Sequence, residues 1–189
     1  MYNTKRMTGK FVYNGIKIGL AAAIALLLVV TGCQTTTENT SPTTSIIPVG
    51  DVGSTAPGFS LQNLDGETVS LGDYAGTPVI INFWATWCGP CRNEVGLLQQ
   101  IYQQSQDDGF TILAVNDMES PEKVSQFMQE NSLSFPVLID PDAGVFVLYS
   151  IRYLPTTLFI DASGVIQHRK IGSFESLAEI QGYLDAIIP

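Results

Sequence analysis

Two cysteines three positions apart, Cys88 and Cys91, are the side chains of this chain best suited by type and spacing to do chemistry. They close the segment Trp84-Ala85-Thr86-Trp87-Cys88-Gly89-Pro90-Cys91, where an apolar run gives way to helical spacing. At a helix N-terminus the unpaired N–H groups and the macrodipole favour a thiolate, the nucleophile of disulfide exchange. Cys88, at the helix start, is expected to attack. Cys91, one turn later and turned toward the core, is expected to attack the resulting mixed disulfide and release the substrate. Pro90 is tolerated because a first-turn N–H has no intrahelical acceptor. A zinc site built on the same pair needs two further ligands, and beyond Cys33 only His168 and carboxylates remain, so no metal is expected. His168 alternates in the polar run Gln167-His168-Arg169-Lys170 and is expected to be exposed and uninvolved. Asp140, Asp142 and Gly144 have partial calcium-loop spacing, but the twelfth position would be Ile151, so a turn is expected.

The elements that must position the pair follow from periodicity. Val79 to Trp84 is β-branched and aromatic, as in a strand buried on both faces. Cys91, Val95, Leu98 and Tyr102 recur at helical spacing and form one inward face of the helix that follows. Thr111 to Val115 is a second buried strand, and Ser120-Pro121-Glu122 offers an N-cap, a proline and an early acid for a second helix. A strand near Val137 to Ile139 and a short helix near Val145 to Tyr149 come next. A hairpin of Thr156 to Asp161 with Val165 to Ile171 follows. The last helix is capped by Ser173 or Ser176 and carries Leu177, Ile180, Leu184 and Ile187 on one face. Before all of these, Phe59, Leu61, Val69 and Leu71 flank Asp65-Gly66 as a hairpin.

Trp87-Cys88-Gly89-Pro90-Cys91 matches the thioredoxin active-site motif residue for residue, and the chain from about residue 53 to 188 resembles the TlpA/ResA-like family of membrane-tethered, extracytoplasmic thioredoxins. The resemblance implies an α/β, thioredoxin-like fold: a central mixed β-sheet flanked by helices, with an N-terminal β-hairpin and an inserted αβ segment. It implies a thiol-disulfide oxidoreductase that reduces protein disulfides without a cofactor. Its partners would be protein thiol or disulfide substrates and a membrane electron donor whose identity the residues do not specify; a monomer is expected. Leu154-Pro155-Thr156 is implied as the cis-proline loop opposite the cysteines, with Pro155 in the catalytic set. Leu154 and Thr156 join Trp87, Gly89 and Pro90 as expected substrate contacts, while Trp84 is expected in the core. Two departures bear on mechanism. Asn82 stands where thioredoxin has a buried Asp, and Glu94, three residues after Cys91, matches an acid of ResA-like members that would take the proton if buried; a solvent-facing helix acid is the alternative.

Related activities fit less well. The cytochrome c maturation reductases of the CcmG-like type have an acid just after the cis-proline and a Gly two residues before it, where this chain has Thr156 and Tyr153. A peroxiredoxin, and with it antioxidant activity, would need Pro-x-x-x-Thr-x-x-Cys, and Ile81 and Ala85 occupy those places.

The 189-residue chain is 45% hydrophobic, enough for one domain with a proper core. Lys5, Arg6, Lys10 and Lys17 precede an apolar run from Ile18 to Val30, a signal-peptide layout. As a helix that run spans about 20 Å, short of the roughly 30 Å of a hydrocarbon core. Val30-Thr31-Gly32-Cys33 resembles a lipobox, which implies a lipidated Cys33 and an anchored protein on the outer face of the cell membrane. The expected organisation is a lipoprotein signal peptide at 1–32, a Thr/Ser/Pro-rich tether at 33–52 and the thioredoxin-like domain at 53–189. Beyond Cys33 stand five basic residues against 18 acidic ones, a net charge of −13 that disfavours nucleic acid as a partner.

Overall fold

The computed structural model describes residues 50–188; Cys33 and the apolar run before it lie outside the described residues. A hairpin of β1 (Ser60–Asn63) and β2 (Thr68–Ser70) is followed by β3 (Val79–Trp84), α1 (Gly89–Asp108), β4 (Thr111–Asp117) and α2 (Pro121–Glu130). Then come β5 (Val137–Asp140), α3 (Gly144–Leu148), β6 (Thr156–Ile160), β7 (Ile166–Ile171) and α4 (Leu177–Leu184). The seven strands form one sheet in the order β2-β1-β5-β4-β3-β6-β7. Strand β4 runs parallel to both β3 and β5, while β6 is antiparallel to β3 and β7, and β1 to β5 and β2. This is the mixed thioredoxin-like sheet expected, with the hairpin added at the edge through β5.

Alternation along β3 divides the core in two. Ile80 and Trp84 join Leu98 and Ile101 of α1, Val124 of α2 and Ile180 of α4 on one face. Ile81 and Phe83 join Phe146 of α3, Tyr149 and the hairpin residues Phe59, Leu61 and Val69 on the other. Asn82, between Ile80 and Trp84 in the two-residue period, is thereby turned to the α1 side. All six residues of β3 are buried, since each face is covered by helix or hairpin. Helix α1 stops at Gly109, whose φ of 71° is the left-handed conformation that a Cβ disfavours.

Three local expectations need correction. Gly50 and Asp51, assigned to the tether, contact the domain: the Arg169 guanidinium donates to the carbonyls of Gly50 (2.5 Å) and Tyr149 (2.9 Å) and lies 3.7 Å from Asp51. His168 is half-buried, because Tyr183 of α4 packs edge-on against it at 5.4 Å. Ile187 is buried but lies beyond α4, which ends at Leu184. Ser176, one of the two serines expected, caps α4 by accepting from the Glu179 N–H at 3.2 Å. Asp140 and Asp142 do form a turn: Asp140 Oδ2 accepts from the N–H groups of Val145 and Phe146 at 2.9 and 3.1 Å. Among the described residues no helix is long and apolar enough to cross a membrane.

Candidate active site

The buried strand β3 runs into a tight turn in which the Cys88 N–H bonds the Ala85 carbonyl at 3.2 Å, and α1 starts at the next residue. Cys88 is the N-cap: its sulfur accepts from the Cys91 N–H at 3.2 Å. That donor and the helix end stabilise negative charge on the sulfur once the pair is reduced. The two sulfurs are joined as a disulfide, with Cα atoms 5.2 Å apart. Cys88 retains 4% of its surface and Cys91 none, so the two sulfurs are not equivalent.

Cys88 borders a groove of about 450 Å³ whose walls include Trp87, Gly89, Pro90 and Leu154, four of the expected substrate contacts. Trp87 is 61% exposed, whereas Trp84 is buried against Phe127 at 5.4 Å, as each was expected to be. The Leu154-Pro155 peptide bond is cis. Thr156 does not reach the groove. Its side chain is buried and its hydroxyl donates to the Tyr153 carbonyl at 2.7 Å, bracing the proline loop from behind. Asp117, Arg152 and Tyr153 also line the groove, and the sequence reading named none of them as a contact. Burial, then repulsion from Asp140 and Glu119, raises the Asp117 carboxyl above its ordinary value. A larger cavity of about 590 Å³ lies between the hairpin and the start of α2 and includes neither cysteine.

Glu94 resolves to the buried alternative, with no exposed surface. Its Oε1 accepts from Asn82 Nδ2 and its Oε2 from the Phe174 N–H, both at 2.9 Å. Burial pushes its carboxyl up to about 7, more than these two donors and the more distant Lys170 pull it down. Asn82 Nδ2 also donates to Thr157 Oγ1 at 2.9 Å. An amide can turn over and a hydroxyl can either donate or accept, so this cradle accommodates Glu94 with or without its proton. An Asp in place of Asn82 would set two carboxylates against each other.

Glu119 escaped the sequence reading altogether. It is 8% exposed and sits at the other side of the β3–α1 turn, accepting from the Thr86 N–H (2.7 Å) and the Thr86 hydroxyl (2.6 Å). Asn116 Nδ2 at 3.0 Å and Lys123 Nζ at 2.7 Å complete its shell. Burial works to raise its carboxyl, but these donors outweigh it and hold the group below the ordinary value. The available signal was slight: an acid just before the Ser120-Pro121 cap with a lysine four residues on.

Known proteins resemble this chain in sequence and fold. Residues 52–169 match the AhpC/TSA family. A thiol-disulfide oxidoreductase named ResA from Oceanobacillus iheyensis is 35% identical over 190 aligned residues, covering 98% of this chain and 93% of its own. A thiol:disulfide interchange protein of the thioredoxin family from Chlorobium tepidum superposes with a TM-score of 0.66 at 27% identity, over 74% of this chain and 99% of that one. A secreted thiol-disulfide isomerase from Corynebacterium glutamicum does so with a TM-score of 0.63 at 27% identity, over 70% of this chain and 83% of its own.

Proposed function

We infer, for a chain that belongs to the AhpC/TSA family and within it to the ResA-like thiol-disulfide oxidoreductases, that Cys88 and Cys91 divide the exchange between them and act as a reductant of protein disulfides. The observation that carries this is the asymmetry of the pair: Cys88 caps α1 at the groove, and Cys91 is sealed beneath it. The Cys88 thiolate attacks one sulfur of a substrate disulfide, forming a mixed disulfide and releasing a substrate thiolate. Cys91 then gives up its proton and attacks the Cys88 sulfur. The Cys88–Cys91 disulfide forms, the second substrate thiolate leaves, and two electrons have passed to the substrate. Glu94, three residues after Cys91 on α1 and with its carboxyl near 7, is the acceptor for that proton. The cis Leu154-Pro155 loop, with Trp87, Gly89 and Pro90, frames an extended substrate segment, and Thr156 supports the loop through its bond to Tyr153.

The site faces the extracytoplasmic side. The basic start and apolar run of the sequence support a signal peptide over 1–32, and Val30-Thr31-Gly32-Cys33 supports a lipid anchor at Cys33 followed by a tether. A membrane donor returns the pair to the dithiol. Intact mass of the membrane-extracted protein tests the anchor: a diacylated chain beginning at Cys33 is expected, and retention of residues 1–32 contradicts it. The division of labour is tested by trapping. Cys91→Ser should accumulate reductant-sensitive adducts with extracytoplasmic proteins and Cys88→Ser few. Equal trapping by the two variants contradicts the assigned roles.

A further inference from the structure

The exchange chemistry leaves Glu119 without a task, although it is a buried acid hydrogen-bonded directly to the redox turn. Its carboxylate meets four donors, and two of them belong to one residue: Thr86, which gives both its N–H (2.7 Å) and its hydroxyl (2.6 Å). Thr86 lies inside the turn that the Cys88 N–H closes on Ala85, two residues before the attacking sulfur. The following residues cannot anchor this turn themselves, since Trp87, Gly89 and Pro90 are all exposed. Yet Cys88 must keep its N-cap geometry for its sulfur to receive the Cys91 N–H at 3.2 Å, the contact that favours a thiolate.

We propose that Glu119 is a positioning residue of the redox centre, gripping Thr86 by main chain and side chain so that the Cys88 sulfur stays at the end of α1. The assignment rests on Cys88 being the attacking sulfur. Lys123, at 2.7 Å from Oε1, balances the charge of the grip, so that holding the turn does not set an uncompensated anion behind a thiolate. Asn116 Nδ2 completes the shell from β4, and donors occupy both oxygens. A glutamine in the same place keeps an acceptor for the Thr86 N–H, and its amide can donate to the Thr86 hydroxyl, which accepts as well as donates. An alanine keeps neither.

The test is site-resolved alkylation of the reduced protein against pH, together with kcat/KM for a disulfide substrate such as insulin. Glu119→Ala should raise the Cys88 midpoint by about one pH unit, toward the free-thiol value of about 8.5, and lower kcat/KM about tenfold. Glu119→Gln should stay within about twofold of the unaltered protein. A folded Glu119→Ala with unchanged midpoint and rate overturns the grip while Cys88 remains the labelled sulfur. A Glu119→Gln as impaired as the alanine overturns it too, since charge and not grip would then be at work. Should Glu119→Ala not fold, Thr86→Val decides: it removes only the hydroxyl donor, a midpoint rise of about half a unit is expected, and no rise overturns the proposal. Labelling of Cys91 before Cys88 in the unaltered protein overturns both the grip and the reading beneath it.

Discussion

Glu94 and Glu119 are both buried carboxylates flanking one pair of cysteines, and they sit in opposite electrostatic states. Glu94 has two neutral donors and no cation in contact, and its carboxyl is pushed up to about 7. Glu119 has four donors, one of them the Lys123 ammonium, and is held below the ordinary carboxylate range. Burial raises both. What separates them is whether the donors repay the lost hydration, and on the proposed mechanism the same side chain serves as a proton acceptor in one place and as an anion that holds a turn in the other.

Glu94→Gln should break this contrast with the largest effect. Disulfide reduction is expected to fall about a hundredfold above pH 7, where Glu94 is ionised and able to take a proton, with the deficit shrinking as pH falls below 7. A pH-independent deficit would mean that the side chain only packs. Stability carries an independent signature. Because the folded carboxyl lies above its ordinary 4.5, its contribution is full below about 4.5 and is lost as pH rises to about 7. That loss is about 3 kcal/mol, and denaturant titrations of Glu94→Gln at about pH 4 and pH 8 should lack it.

Asn82→Asp sharpens the same side of the contrast by placing a second carboxylate where an amide now lies 2.9 Å from Glu94 Oε1. The two acids would share a proton, and the folded state should lose about 2 kcal/mol between about pH 5 and pH 8 relative to the unaltered protein. Equal stability at the two pH values would show that water or a shift of α1 separates the pair. The smallest effect is expected on the other side. Lys123 is 58% exposed, so Lys123→Ala should cost only about 0.5 kcal/mol and leave turnover within about twofold. A larger loss would mean that Glu119 needs its cation to stay in place.

Much of this architecture was legible before the fold was known, and the residues that were not share a physical reason. The β-branched and aromatic run at β3, the four-three-four spacing of Cys91, Val95, Leu98 and Tyr102, and the Ser120-Pro121 cap are local patterns, and each specified its element closely. Cys88, Cys91 and Trp87 were readable because they form one motif within five residues, whereas Pro155, distant in the chain, was assigned only through the family resemblance. Glu94 was readable as a candidate, but its burial was not, because an acid three residues after Cys91 can face either way until Asn82 and the Phe174 N–H are placed against it. Glu119 was hidden for a stronger reason. Its partner Thr86 is 33 residues away on a different strand end, and nothing local to either residue announces the pairing. Thr156 was read as a groove contact from its place after the proline, whereas the buried pairing of β6 with β3 and β7 turns it inward.

On the proposed mechanism each carboxylate serves one sulfur, and the central claim is that the sulfurs themselves differ: Cys88 is presented and Cys91 is stored. Brief alkylation of the fully reduced protein at limiting reagent, with the modified residue located by mass spectrometry, tests it most directly. The account predicts that singly labelled molecules carry the label almost entirely on Cys88. Label on Cys91 first, or shared equally between the two, would contradict it.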